Sequence, residues 1–89
     1  MLPSDIVRRI QGQLGREEAD YAIELLGTFS CLETVRVIRA IVYLAEGDLG
    51  RIEHYIDCAK IDYRDVLLWG EYDRDGNRLR NFNEPFCRC

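Results

Sequence analysis

Apolar side chains recur at three- and four-residue steps through most of this chain, and nowhere do they alternate long enough to suggest a strand, so the pattern predicts an all-α fold. Ile6, Ile10 and Leu14 follow Pro3 and Ser4 and stop at Gly15, marking a first helix. In REEADYAIELLG, Ala19, Ala22, Ile23 and Leu26 share a face behind a run of acids that suits the positive end of a helix dipole, and Gly27 ends the second. Ser30 and Glu33 have capping-box spacing, which predicts a third helix over 31–46 closed by Gly47. That helix carries two apolar stripes, Leu32, Val35, Ile38, Val42 and Ala45 beside Val37, Ile41 and Leu44, and should therefore be packed on two sides as the central helix. Asp48 caps a fourth helix with Leu49, Ile52, Tyr55, Ile56 and Ala59 inward, and Asp62 caps a fifth running to about Tyr72. On the fifth, Tyr63, Val66, Leu67 and Gly70 share a face, the glycine permitting close backbone approach.

The expected architecture is thus a small single-domain bundle of about five short helices over 1–73, followed over 74–89 by an irregular tail packed back on it. Arginines, asparagines and Pro85 argue against a sixth helix, while Leu79, Phe82 and Phe86 could cover the fifth. The fragment AIVYLAEGDLGRIEHYIDCAKID resembles one tetratricopeptide unit, with Ala40, Tyr43, Gly47-Asp48 and Ala59 at the family's small, aromatic, turn and small positions. The resemblance implies a tightly packed helical hairpin. Arg36 and Arg39 depart from it, standing where that family places large apolar side chains.

Charge changes the picture in one respect. The net charge of −4 divides into 8 basic and 14 acidic residues up to Asp73, against 4 basic and 2 acidic from Arg74 onward. An acidic body disfavours nucleic acid as a partner, and the basic tail should either fold back or be offered to another molecule. No apolar run suits a membrane span, and the N-terminal stretch lacks the apolar core of a secretion signal, so a cytoplasmic location is expected. In a reducing compartment Cys31, Cys58, Cys87 and Cys89 are expected as thiols or metal ligands rather than disulfides.

Candidate chemistry is sparse. EYDRDGNRL places Glu71, Asp73, Asp75 and Gly76 at EF-hand positions, but Arg78 and Phe82 stand where an apolar residue and a bidentate glutamate belong, so a tight turn is the expected reading and calcium is not. His54 and Cys58 lie one helical turn apart and, with Cys87 and Cys89, could hold a structural zinc; otherwise no cofactor is expected. The terminal thiols could alternatively form a redox pair. Ser4 and Ser30 are read as helix caps, and no nucleophile and base stand at a motif spacing. Arg36, Arg39 and Tyr43 on the third helix, and Trp69 and Tyr72 on the fifth, are the candidate partner-binding residues. The expected function is a non-enzymatic interaction module with a protein partner or a second copy of itself. A zinc-stabilised regulatory domain and a small enzyme without a recognisable motif are the alternatives.

Overall fold

The computed structural model describes residues 2–86 and contains α1 (Ser4–Gln13), α2 (Arg16–Thr28), α3 (Thr34–Ala45) and α4 (Leu49–Glu71). No strand occurs among the described residues, and the fold is all-helical as the periodicity predicts. The expected break between a fourth and a fifth helix is present as a kink inside α4. Asp62 leaves helical geometry at φ −156° and ψ 104°, and its Oδ1 accepts from the Arg64 backbone N–H at 3.0 Å, capping the second half of the helix.

α3 lies at the centre. Seven of its twelve residues, Val37 to Val42 and Ala45, are buried, which requires neighbours on both sides. Ile6 and Ile10 of α1, Leu26 of α2, Ile52 and Ile56 of the first half of α4, and Val66 and Leu67 of the second half complete the core. Each large aliphatic side chain buried in this way contributes about 1.5–3 kcal/mol. Small residues set the close contacts: a Cβ on Gly70 would lie 2.9 Å from Phe82 Cε2 and 3.3 Å from Ala40 Cβ.

The hairpin of α3 and the first half of α4 turns through Glu46 and Gly47, both in the left-handed region with φ 51° and 79°, before Asp48 Oδ1 accepts from Arg51 N–H at 3.1 Å. Ala40, Ala45 and Ala59 are buried along it.

Three local readings need correction. α3 begins at Thr34 rather than 31, because the Thr34 hydroxyl donates to the Cys31 carbonyl at 2.8 Å and accepts from its N–H at 3.0 Å, holding Cys31–Glu33 in a turn. Leu32 therefore falls outside the helix, and it and Val35 are exposed instead of forming the end of the stripe. Neither Ser4 nor Ser30 caps a helix by its side chain: Pro3 and Glu33 occupy the N-cap positions of α1 and α3, with no side-chain cap bond at either.

Candidate functional site

The arginine and tyrosine stripe of α3 meets the chain's own C-terminal segment. Glu71, the last residue of α4, is fully buried. Arg36 reaches it with two donors, Nη2 to Oε1 and Nε to Oε2 at 3.1 Å, and also pairs with Glu33 at 3.0 Å. The same carboxylate accepts from the Phe82 N–H at 2.9 Å, while the Glu71 carbonyl accepts from Leu79 N–H at 2.7 Å. One turn along α3, Arg39 forks onto Asp5 of α1, Nε to Oδ2 at 2.9 Å and Nη2 to Oδ1 at 3.1 Å, and donates Nη1 to the Phe82 carbonyl at 3.0 Å. Asp5 Oδ2 also accepts from Phe86 N–H at 3.1 Å. Tyr43, one turn further, packs on Phe82 with ring centroids 5.5 Å apart and under the Arg80 guanidinium at 4.3 Å.

These contacts form a clasp for the tail. The hydrogen bond from Arg39, helped by the Phe86 N–H, holds the Asp5 carboxyl below its ordinary range despite partial burial. Burial pushes Glu71 upward, but the Arg36 and Phe82 hydrogen bonds and the charges of Arg36 and Arg78 outweigh it and leave the carboxyl below its ordinary range. Arg36 is correspondingly held still more firmly in its charged form, chiefly by its hydrogen bond to Glu71. Arg36 and Arg39 are thus engaged within the chain, and Arg39 is buried, instead of standing free as a surface stripe.

Glu71 was not singled out by the sequence except as a loop ligand. Its signal was present: it lies four residues after Leu67 and next to Gly70, so it continues the apolar face of the helix, where a charge needs a partner. The loop beyond it is a turn. Asp73 Oδ1 accepts from the N–H groups of Asp75 and Asn77, both at 2.9 Å, Gly76 takes φ 83°, and Tyr72 and Arg78 form an antiparallel bridge.

His54 and Cys58 do come together, with Nε2 and Sγ 3.6 Å apart on the exposed side of α4. Cys87 and Cys89 lie outside the described residues. Among the described residues no group of three or more His, Cys, Asp or Glu side chains could hold a metal ion. Trp69 is half-exposed and packs on Tyr55 with centroids 6.2 Å apart, and Tyr72 is half-buried.

A different surface lacks any cover among the described residues. The α2–α3 connection and the kink of α4 enclose a groove of about 570 Å³, lined by Phe29 to Leu32 and by residues 59–64. Of its lining Phe29 is buried, whereas Leu32 and Ile61 are 87% and 88% exposed. Two of its charges pair with each other, Asp62 accepting from Arg64 Nε at 3.0 Å and from Nη2 at 3.1 Å, and Lys60 lines it as well. A cleft that sets Phe29, Leu32, Ala59 and Ile61 beside Ser30, Lys60, Asp62 and Arg64 is suited to hold an apolar side chain with a polar flank. Leu68 and Trp69, further along α4, are both about half exposed.

No family model, curated protein or solved structure matches this chain.

Proposed function

We propose that this protein is an interaction module that docks a protein partner, or a second copy of itself, on the groove between the α2–α3 connection and the α4 kink. The observation that carries this reading is the near-complete exposure of Leu32 and Ile61 on one groove, the most exposed of the large apolar side chains among the described residues, in a chain that buries the charged Arg39 and Glu71. Exposed large aliphatic side chains gathered at a concave site favour association, because covering them removes apolar area from water. The docked element would offer apolar side chains to the groove, with Trp69 at the margin of the contact.

Sedimentation velocity over a concentration series tests self-association, and crosslinking of tagged protein followed by comparison with a Leu32→Ser/Ile61→Ser variant tests a separate partner. Assembly or crosslinks lost in the double variant, with folding unchanged, support the reading. Assemblies that persist undiminished in that variant overturn it, and a further loss on Trp69→Ala extends the surface along α4.

A second reading rests on the pairing of His54 with Cys58, two of the four ligands of a structural zinc site. Native mass spectrometry of chelator-free protein decides it: one zinc per chain, lost on Cys58→Ser, supports a zinc-stabilised regulatory domain, and metal-free protein rejects that reading.

A further inference from the structure

The tail returns across α1 and α3 and closes one side of a second cleft, of about 450 Å³, which is within the range of small-molecule pockets. Its walls are apolar where Tyr43, Phe82 and Phe86 meet and basic where Arg9 and Arg80 enter. The Arg9 guanidinium stacks over Phe86 at 4.4 Å from the ring centroid and lies 6.0 Å from that of Tyr43. Arg80 stacks over the same tyrosine at 4.3 Å and donates Nη1 to the Gly70 carbonyl at 2.7 Å.

Arg9 Nε differs from the other buried donors. Among the described residues it is the one buried side-chain nitrogen or oxygen with no hydrogen-bond partner. A buried donor on a charged group is unfavourable without an acceptor, and folded proteins rarely leave one unpaired, so its position marks where an acceptor belongs. The acid lining the cleft is Glu84, which has an interaction of its own. Two arginines against one glutamate make the lining net positive, within a chain whose net charge is −4.

We propose that this cleft binds a small carboxylic acid with an apolar body, the Arg9 side chain turning its covered Nε–H edge toward the carboxylate and the body resting against Tyr43, Phe82 and Phe86. The Nε edge of a guanidinium presents N–H groups in a fork that matches a carboxylate, which favours that head group over a neutral ligand. Three aromatic rings in the walls favour a ligand with apolar surface over a bare inorganic anion. The inference is independent of the interaction groove, which is built from other residues.

The test is an NMR titration that follows the Arg9 Nε–H resonance of the intact chain, with benzoate, benzamide and inorganic phosphate as probes. The expected result is a saturable shift with benzoate, none with benzamide, and binding of phosphate at least tenfold weaker than benzoate. Arg9→Gln should weaken benzoate binding at least tenfold by calorimetry at an unchanged melting temperature, and Glu84→Gln should tighten it. Absence of a saturable benzoate shift, equal affinity in Arg9→Gln, or phosphate binding as tightly as benzoate would overturn the proposal. If Arg9→Gln fails to fold, Arg9→Lys keeps the charge without the fork and must show the same loss.

Discussion

The tail clasp and the groove treat their side chains in opposite ways. Toward the tail, Arg39 and Glu71 are buried and Arg36 is nearly so, each matched to a partner distant in sequence. Toward the α2–α3 connection, Leu32 and Ile61 stand in solvent. Hydrophobicity ranks these residues the other way round. The difference teaches that burial here follows the availability of a partner within the chain: the tail supplies backbone N–H and C=O groups that complete the ion pairs, and nothing among the described residues supplies apolar cover for the groove. A charged face can therefore be interior scaffolding while an apolar one is the surface left for another molecule.

The comparison is broken most severely at Glu71. Glu71→Ala leaves Arg36 without its main counter-ion and the Phe82 N–H without an acceptor, and should destabilise the domain by about 3 kcal/mol, the scale for removing one partner of a buried pair. Urea unfolding measures this directly. A loss below about 1 kcal/mol, the value for an exposed pair, would mean that the clasp is a surface feature after all.

Acid acts on the same carboxylates. Asp5 and Glu71 both titrate lower in the folded chain than unfolded, so the unfolded chain binds more protons in the interval between, and stability rises with pH across it. Their contribution is complete above the ordinary carboxylate value of about 4 and is lost as pH falls through the depressed folded values. Melting temperature should therefore drop more steeply below pH 4 in the wild type than in a Glu71→Gln variant, which has already lost one of the two groups. Parallel acid limbs in the two proteins would remove Glu71 from the account.

Gly70→Ala probes the packing that brings the tail to α4. Replacing a helical glycine by alanine ordinarily gains up to about 1 kcal/mol in helix propensity. Here the added methyl meets Phe82 at 2.9 Å and Ala40 at 3.3 Å, and overpacking of this kind costs about 1–3 kcal/mol, so a net destabilisation near 1 kcal/mol is expected in the same unfolding measurement. A stabilised variant would show that Phe82 yields freely and that the tail is held by its charges and not by its ring.

How far this arrangement was legible in the sequence varies with the range of the interaction. Period, caps and small residues are local, and they disclosed the helical class, the central position of α3, the close approach at Gly70 and the break at Asp62. The boundary of α3 was misplaced because Thr34 competes for the Cys31 backbone groups that a capping box at Ser30 would have organised. The local pair of Arg36 with Glu33 is within reach of an i,i+3 reading, but the main partners of Arg36 and Arg39 lie 34 to 43 positions away and are beyond it. The orphaned Arg9 Nε belongs to the same class, being visible only once the tail lies against α1.

The smallest expected effect on stability is at the groove. Leu32 and Ile61 keep most of their surface in water in the folded chain, so Leu32→Ser and Ile61→Ser remove almost no buried area and should change unfolding free energy by less than about 0.5 kcal/mol each. An equivalent truncation in the core, such as Ile41→Ala, should cost about 2–5 kcal/mol. The smallness is the informative part, because evidence of assembly read from these two variants is then free of any folding defect. A loss above about 1 kcal/mol from either serine would mean that the side chain is covered in solution within a single chain, and the contrast between the clasp and the groove would have to be given up. An unchanged unfolding free energy combined with lost association would place the energetic purpose of Leu32 and Ile61 outside the chain, where apolar groups that contribute nothing to their own fold are expected to act.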